Sequence, residues 1–408
     1  MPVLRNIGEL ATCPSGNPQD NAGLVANAAL ALRGDCIAWA GPEAELPAEY
    51  TDEDALDCGG RLVVPGLIDC HTHLCFGGWR GDEFALRLAG ASYQEIAAAG
   101  GGILSTVRAT RAASRAELEE KAAAVLAQML ELGVTTVECK SGYGLDRETE
   151  FKQLEVYRAL DSRQPVDLVP TFLGAHVVPP EYADNRGTYI ELLTQSMIPE
   201  VAERGLAGFC DAFVEQGAYT LDEARAIFEA ARAAGLGIRL HADQLSNGGG
   251  AELAASFGAV SAEHLEYVSE AGIDALAVSG TVAVSLPLAS LYLREPYLPA
   301  RRLLDAGVRV AVATDFNPGS APSYHLPLAL SLACLNQGMT PQEALMGCTT
   351  VAARAVARAD RIGSLASGFQ ADIAVIDAPS LNHWIYHFSP NACVAVFKNG
   401  QPLLNKLT

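Results

Sequence analysis

Two histidines separated by one residue give the strongest chemical signal in the sequence. They are His71 and His73 in the stretch Asp69-Cys-His-Thr-His73, and two further candidate ligands, His241 and Asp315, lie far downstream. In a β-strand, residues two apart face the same side, so the two histidines can point together at one ion. Neutral imidazole and carboxylate groups suit Zn²⁺ or Fe²⁺. The pattern predicts one divalent metal ion held by these side chains, although a lone histidine pair near a strand end is as often only hydrogen-bonded.

These side chains need a scaffold that brings distant segments together, and the sequence alternates strand-like with helix-like segments. Helical stretches begin at capping boxes, Ser114–Glu117, Thr220–Glu223 and Thr340–Glu343, the last with proline at its first helical position. Strands that alternate with helices form parallel β–α–β units, and eight such units predict an α/β fold of the (β/α)₈ barrel (TIM barrel) type. An open doubly wound sheet is the alternative. The eight apolar runs are Leu62–Ile68, Val134–Cys139, Val166–Leu173, Ala207–Val214, Gly237–Leu240, Ala259–Ala262, Thr281–Leu286 and Arg309–Ala313.

Polar or ionisable side chains follow nearly every one of these runs. Besides the candidate ligands they are Lys140, His176, Glu215 and His264, while the seventh run ends in Pro287. Barrel enzymes carry their chemistry at the C-terminal ends of the strands, around one pole of the barrel. An open sheet would concentrate it at one switch point instead. The spread over many strand ends therefore favours the barrel.

The two ends of the chain show a different, β-type pattern. Residues 23–40 alternate around Gly34-Asp35, which suits a two-residue hairpin turn, and residues 368–378 and 392–404 have a similar character. We expect both ends to form one small β-sandwich domain from residues 1–64 and 364–408, flanking a catalytic barrel over residues 65–363. Between the first two barrel strands, Ser92–Thr110 with its three consecutive glycines is expected to be an irregular loop over the pocket.

Composition narrows the class of partner. The 408 residues include 28 basic and 48 acidic ones, which gives a net charge of −20. Such a surface repels phosphate backbones, so we expect no nucleic-acid partner. A small anionic substrate is compatible if the pocket has its own cation, because exposed charges are screened beyond about 8 Å at physiological salt. The sequence shows no signal peptide, membrane segment or CxxC pair, and its ten scattered cysteines indicate a cytoplasmic protein with reduced thiols.

Arg80, in the first strand-to-helix loop, can supply that cation, since its planar guanidinium grips carboxylates, although a solvated surface arginine is an equal alternative. Asp315 can both bind the ion and accept a proton from water. His264 is a second proton-transfer candidate, with a structural role as its alternative. Three more side chains could orient a small polar ring, or serve only in loop packing: Tyr93, Tyr143 and His176.

The turn Asp315-Phe-Asn-Pro-Gly-Ser320 comes directly after a candidate ligand. Its Asn317 side chain and the backbone amides of Gly319 and Ser320 could bind an anion as a nest. Gln244 places an amide three residues after another candidate ligand. These groups add polar contacts for a small anionic substrate.

Two alternatives at the site are possible in principle and are not favoured. Lys140 could be carbamylated and bridge a second metal ion, a modification that no sequence shows. Cys70 or Cys75, which flank the histidine pair, could act as a nucleophile. A metal ion that activates water makes such a nucleophile unnecessary. We therefore expect both cysteines to be structural.

Several motifs resemble those of the amidohydrolase superfamily, whose members join a metal-bearing (β/α)₈ barrel to a β-sandwich built from both chain ends. Pro65–His73 resembles its first-strand motif, and Gly368–Asp377 resembles its terminal motif. The finer match is to the imidazolonepropionase family. The segments that carry it are Phe76–Arg80, Asp82–Phe84, Arg87–Tyr93, Gly100–Arg111, Lys140–Gly144, Phe172–His176, His241–Ser246 and Asp315–Ser320.

This resemblance implies a metal-dependent hydrolase of histidine degradation that opens the cyclic amide C–N bond of 4-imidazolone-5-propanoate to give N-formimidoyl-L-glutamate. It also implies a homodimer and one zinc or iron ion. The implied metal ligands are His71, His73, His241 and Asp315. The implied substrate contacts are Arg80, Tyr93, Tyr143, His176, Asn317, Gly319 and Ser320, with Gln244 helping His176 to orient the ring.

Position 244 departs from the family pattern, because members with this motif can carry glutamate there. Gln244 cannot accept a proton from water, which leaves proton transfer to Asp315 and His264. The nearest rival function is another amidohydrolase activity, either deamination of a nitrogen heterocycle or hydrolysis of a different cyclic amide. A non-catalytic metal-binding barrel is a more remote alternative, because all four candidate ligands are present.

Overall fold

Two sheets organise the protein. The computed structural model describes residues 3–90, 95 and 100–407. Within this part of the chain, one sheet has eight strands and the other has seven. The strands are β1 (Val3–Ala11), β2 (Leu24–Arg33), β3 (Cys36–Pro42), β4 (Ala55–Pro65), β5 (Leu67–Asp69), β6 (Val134–Lys140), β7 (Asp167–Ala175), β8 (Phe209–Val214), β9 (Gly237–Ala242), β10 (Ser261–His264), β11 (Val282–Ser285), β12 (Val310–Val312), β13 (Ile373–Ile376), β14 (Cys393–Lys398) and β15 (Gln401–Asn405).

The eight-stranded sheet is the predicted barrel. Its strands β5 to β12 lie side by side in chain order, and each neighbouring pair is parallel. The segments that follow β5 and β12 close it: the amide of Asp315 donates to the carbonyl of His71 at 3.0 Å, and the amide of His73 donates to that of Phe316 at 2.8 Å. The closure confirms the barrel and excludes the open doubly wound sheet.

Helices connect the barrel strands and cover its outer face. All three predicted capping boxes are present, because each N-cap hydroxyl accepts a bond from the N3 amide and each N3 glutamate carboxylate accepts a bond from the N-cap amide. The described helices are α1 (Gly81–Leu88), α2 (Ile103–Ala112), α3 (Arg115–Glu131), α4 (Arg147–Asp161), α5 (Arg186–Leu192), α6 (Ile198–Glu203), α7 (Leu221–Ala233), α8 (Gly250–Phe257), α9 (Glu270–Ser279), α10 (Pro287–Leu293), α11 (Ala300–Asp305), α12 (Leu326–Gln337), α13 (Pro341–Gly347), α14 (Thr350–Ala355) and α15 (Leu381–Tyr386).

The seven-stranded sheet is built from both ends of the chain, as predicted. Its order is β15-β14-β13-β4-β1-β2-β3, so β13 from the C-terminal part pairs directly with β4 from the N-terminal part. The hairpin expected at Gly34-Asp35 is present, since Arg33 and Cys36 are paired across a two-residue turn. Lys398 on β14 ties this sheet to the barrel through Asp167, the first residue of β7, at 2.9 Å. The boundaries at 64/65 and 363/364 stay predictions.

Two predicted segments differ from the structure. The run Leu62–Ile68 is divided between the sheets: β4 ends at Pro65, and β5 begins at Leu67. An apolar run is buried equally well in either sheet, so its pattern does not show where the chain passes from one to the other. The expectation of an irregular loop over Ser92–Thr110 is wrong for its second half, which lies in α2, while residues 91–94 and 96–99 fall outside the described residues.

Two general features bear on the cellular setting. No described helix combines the length and the apolar character that crossing a bilayer requires. All ten cysteines are free thiols, eight of them buried, which agrees with the expected reduced state. The cytoplasmic location and the homodimer stay predictions.

Candidate active site

The backbone bonds that close the barrel also bring residues of the candidate site together. Asp315 follows the last strand, and its backbone bond to His71 places its side chain beside the histidine pair. Its φ of 56° lies in the left-handed region, which a non-glycine residue adopts only when its surroundings hold it there. Thr314 supplies part of that hold, because its amide and hydroxyl donate to the buried carboxylate of Asp69 at 3.1 and 2.6 Å.

The four candidate ligands converge at this mouth of the barrel. Nε2 of His71 and Nε2 of His73 lie 3.3 and 3.5 Å from Oδ1 of Asp315. Nε2 of His241 lies 3.4 Å from Nε2 of His73. One potential ligand atom from each of His71, His73 and Asp315 lies within 4.8 Å of the others. These distances fit four donors arranged around one small cation.

The protonation states suit metal binding. Burial lowers the pKa of His71 and of His73, so both imidazoles are neutral and keep a lone pair for an ion. Burial alone would raise the pKa of Asp315, but the neighbouring His71 and His73 outweigh it and hold that pKa well below its usual range. Within the described part of the chain, Nε2 of His71 is buried and makes no hydrogen bond, although Asp315 is close. A buried nitrogen lone pair and a carboxylate oxygen that face each other suit a cation bound between them.

A buried carboxylate behind the ligands fixes the orientation of His241. Oδ2 of Asp211 lies 3.0 Å from Nδ1 of His241, which makes Nδ1 the protonated nitrogen and leaves Nε2 facing the site. Burial alone would raise the pKa of Asp211, but His241 and Lys140 outweigh it and hold that pKa well below its usual range. Asp211 thus supports His241 as an anion.

Lys140 is part of this support. Its ammonium pairs with Oδ2 of Asp211 and with Oε1 of Glu138, both at 2.9 Å and fully buried. Burial alone would lower the pKa of Lys140, but Asp211 and Glu138 outweigh it and raise that pKa. Carbamylation needs a neutral amine, so this paired ammonium is poorly suited to the bridging role considered above.

His264 lies next to two of the candidate ligands, and Gln244 lies near Glu266, the partner of His264. The His264 ring centre is 5.4 Å from that of His241 and 5.9 Å from that of His71. Burial alone would lower the pKa of His264, but Glu266, 3.7 Å from Nδ1, outweighs it and raises that pKa. Gln244 is half-buried and borders a small cavity with Glu266.

Two rings form the wall next to the histidine pair. His176 stacks on His73 with ring centres 5.2 Å apart, and Tyr143 lies 5.7 Å from His73 and 5.4 Å from His176. Nδ1 of His176 is bonded to the carbonyl of Gly142 at 3.0 Å, so Nε2 is available to a ligand. Burial, reinforced by His73 and His241, lowers the pKa of His176 well below its usual range, so this ring is neutral.

Arg80 reaches the turn that follows Asp315. A Cβ added to Gly319 would lie 1.3 Å from Nη2 of Arg80, so the guanidinium occupies the space that any side chain at 319 would need. Nε of Arg80 is buried and has no hydrogen-bond partner among the described residues. A half-buried guanidinium with unused donors is suited to a carboxylate.

The turn after Asp315 does not form the anion nest that the sequence predicted, because its amides bond to Asn317. The amides of Gly319 and Ser320 both donate to Oδ1 of Asn317 at 2.8 Å, while Nδ2 of Asn317 donates to the carbonyl of Asp315 at 2.6 Å. Asn317 therefore uses the donors that were expected to face an anion, because a short side chain in a tight turn bonds its own backbone first.

Other outcomes concern single residues. Tyr93 lies outside the described residues. Cys70 and Cys75 are fully buried, and burial raises the pKa of Cys75 to about 12, which makes it an inert thiol, as expected. The supporting charges Glu138 and Asp211 were missed by the sequence analysis. Their signal is an acidic residue inside an apolar strand, which a buried partner must explain.

Comparison with known proteins adds close relatives. The profile of the amidohydrolase family matches residues 62–403. An imidazolonepropionase of Symbiobacterium thermophilum is 47% identical over 413 residues, covering 99% of this chain and 97% of that protein. An imidazolonepropionase of Cupriavidus pinatubonensis is 50% identical over 378 residues, covering 92% of this chain and 89% of that protein.

Solved structures with the same fold are more distant in sequence. An adenosine deaminase from Xanthomonas campestris with bound zinc has a TM-score of 0.75 at 18% identity, covering 100% of this chain and 93% of that one. A 5-methylcytosine deaminase from Klebsiella pneumoniae has a TM-score of 0.73 at 16% identity, covering 99% and 97%. The chain belongs to the metal-dependent amidohydrolase family and groups within it with the imidazolonepropionases.

Proposed function

We propose that the protein hydrolyses the ring C–N bond of 4-imidazolone-5-propanoate and releases N-formimidoyl-L-glutamate, a step of histidine degradation. One observation carries the proposal: the half-buried guanidinium of Arg80 lies against the turn that begins at Asp315, beside the four converging ligands. A metal site with an adjacent cation fits a ring that carries a carboxylate tail. The relatives that match almost the whole chain bear the name of this activity.

The residues fit one divalent ion, which we propose to be zinc or iron. His71, His73 and His241 would offer neutral nitrogens and Asp315 a carboxylate oxygen, a donor set that suits either metal. When bound, such an ion lowers the pKa of water and polarises a carbonyl group.

Proton transfer falls to Asp315 and His264. Oδ1 of Asp315 faces the histidines, whereas Oδ2 lies 3.4 Å from the hydroxyl of Ser320, on the side of the turn. We assign to Oδ2 the proton that the attacking water loses as its oxygen bonds to the ring carbonyl carbon. His264, whose pKa is raised, donates a hydrogen bond to the carbonyl oxygen as negative charge develops there. Oδ2 then passes its proton to the ring nitrogen, and the C–N bond breaks.

The remaining residues hold the substrate. Arg80 would bind the propionate carboxylate together with Tyr143, and the family resemblance implies that Tyr93 also contacts the substrate. Nε2 of His176 and the amide of Gln244 would orient the ring, since an amide donates and accepts hydrogen bonds but takes no proton from water. Asn317, Gly319 and Ser320 would shape the turn on which Arg80 rests.

The experiment that tests this function starts with the metal content of the purified protein. Mixing the metal-loaded enzyme with 4-imidazolone-5-propanoate should abolish the ultraviolet absorbance of the ring, and mass spectrometry should show N-formimidoyl-L-glutamate. Asp315→Ala, which removes a proposed ligand and the proton carrier, should be inactive and low in metal. Near-normal turnover by this variant would contradict the proposed proton transfer.

An ammonia assay separates the main rival. The two deaminases named above share the fold, but identities below 20% carry no argument about the reaction. A deaminase releases ammonia, whereas the proposed hydrolysis keeps both ring nitrogens in the product. Ammonia release without loss of the imidazolone would favour the rival.

A further inference from the structure

The backbone of residues 75–78 joins the histidine pair to Arg80, and side chains from the surrounding helices hold it. The amide of Cys75 donates to Oη of Tyr157 at 3.0 Å, and Nε2 of Gln153 donates to the carbonyl of Cys75 at 2.7 Å. The amide of Gly77 donates to Oγ1 of Thr110 at 2.9 Å. These bonds fix the first half of the segment on α2 and α4.

Lys121 on α3 holds the second half. Its ammonium donates to the carbonyl of Phe76 at 3.1 Å and to that of Gly78 at 2.7 Å. The same ammonium lies 3.6 Å from the ring centre of Phe76 and 4.4 Å from that of Trp79. Carbonyl oxygens and ring faces both attract a cation, so Lys121 binds this segment in two independent ways.

The segment bound by Lys121 leads directly to Arg80. Arg80 is the N-cap residue of α1, and its side chain must cross to Gly319 to reach the site. Gly78 has a φ of 69°, a left-handed turn that sets the direction of the chain just before Arg80. The hydrogen bond from Lys121 to the carbonyl of this glycine is shorter than the one to the carbonyl of Phe76. A shift at Gly78 would therefore move the guanidinium.

We propose that Lys121 is a positioning residue for the substrate carboxylate, acting through residues 76–80 on Arg80. The proposal rests on the function proposed above. Burial lowers the pKa of Lys121 to about 8, so the ammonium remains the main form at pH 7. Because Lys121 acts on the residue that binds the tail, its loss should weaken substrate binding and leave the chemical step almost unchanged.

The test compares Lys121→Met with a matched control, Lys152→Met. Lys152 also donates to backbone carbonyls, those of Thr110, Arg111 and Ala113, but it does not touch residues 76–80. With the metal-loaded enzyme, Lys121→Met should raise KM for 4-imidazolone-5-propanoate about tenfold and change kcat less than about twofold, as the loss of one charge-assisted contact predicts. Lys152→Met should leave both constants near those of the wild type.

A double-mutant cycle separates positioning from general support. If Lys121 acts through Arg80, the change Lys121→Met should have no further effect on KM in an Arg80→Ala background. Lys121→Arg should restore KM, because a cavity of about 340 Å³ beside Gly78 and Lys121 leaves room for the larger cation.

Three results would overturn the proposal: an unchanged KM in Lys121→Met, the same loss with and without Arg80, or a loss confined to kcat. Melting temperatures of all variants show whether any loss follows from unfolding.

If the wild type does not hydrolyse the imidazolone, the proposed function fails. Calorimetric binding of 4-imidazolepropanoate, a ring with the same tail, then decides the Lys121 proposal on the same variants.

Discussion

At the scale of single residues, the site depends on charges that never meet the substrate. His241 faces the site through Nε2 because Asp211 accepts a hydrogen bond from Nδ1, and Asp211 stays ionised because His241 and Lys140 lie 3.0 and 2.9 Å away. Outer carboxylates of this kind keep a ligand imidazole in one tautomer and one orientation. The histidine pair was visible in the sequence, whereas its support was not, since nothing in the sequence shows that Asp211 and Lys140 meet.

Asp211→Asn tests this support. The amide keeps the size of the carboxylate but loses the charge that stabilises His241 and Lys140, so affinity for the metal should fall about 10- to 100-fold. Competition with a chelator, read as bound metal per chain, measures the change. Asp274→Asn, the same substitution at an exposed position on α9, is the control and should retain normal affinity. Equal affinity of the two variants would contradict the role given to Asp211.

Gly319→Ala tests the contact between the turn and Arg80. The added methyl group would lie 1.3 Å from Nη2 of Arg80, so the flexible guanidinium must move while the backbone keeps an ordinary conformation. We expect kcat/KM to fall about 10- to 150-fold, the range for losing one charge-assisted bond. Gly16→Ala, where an added Cβ meets nothing within 4 Å, should behave as wild type. Normal kinetics for Gly319→Ala would show that Arg80 is not needed in this position.

At the scale of elements, α4 organises two of the strand-end loops. Glu150, Gln153 and Tyr157 share one face of this helix, because residues three and four apart lie together. Gln153 and Tyr157 bind the backbone of Cys75, and Glu150 binds the turn that carries Tyr143. The capping boxes made several helix starts predictable from the sequence. The inner polar face of α4 was not predictable, because a sequence does not distinguish polar residues that bind loops from polar residues that face solvent.

Glu150→Gln tests how strongly this helix holds the turn. The carboxylate accepts the amides of Gly144 and Leu145 at 2.8 and 2.9 Å and also that of Gly142. Glutamine offers one acceptor oxygen in place of two, so the substitution should lower the free energy of unfolding by about 1–3 kcal/mol, measured by urea denaturation. Glu148→Gln, at an exposed position of the same helix, is the control. A stability equal to that of the control would mean that the turn does not depend on Glu150.

At the scale of the whole molecule, the sequence predicted the barrel and the shared sheet of the chain ends. It did so because strand ends in a parallel barrel share one pole, so the polar residues after each apolar run carry topological information. The break at Gly66 was not predictable in this way, since Leu62 and Ile68 are equally buried in different sheets. The segment 103–112 was also missed, because glycines just before a helix read as a loop.

Lys398→Met tests the connection between the two sheets. Its ammonium pairs with Asp372 at 2.7 Å and with Asp167 at 2.9 Å, and its removal takes away the cation that is paired with the buried carboxylate of Asp372. We expect the free energy of unfolding to fall by about 3 kcal/mol in chemical denaturation. Asp167 begins β7 and lies at the pole opposite the site, so kcat should stay unchanged. Lys406→Met, at an exposed position, should alter neither quantity.

The backbone hydrogen bonds between Asp315 and His71 and between His73 and Phe316 have a consequence for local opening of the barrel. These two backbone bonds complete the barrel, and three of the residues that form them, His71, His73 and Asp315, are proposed ligands. A metal ion bound by these side chains would stabilise the closed barrel, so local opening of the barrel and loss of the metal would occur together. After chelation, the amides of His73 and Asp315 should exchange with deuterium faster than before, while the exchange of the β7 amides should stay the same. An unchanged exchange rate at His73 and Asp315 would show that closure of the barrel does not depend on the metal.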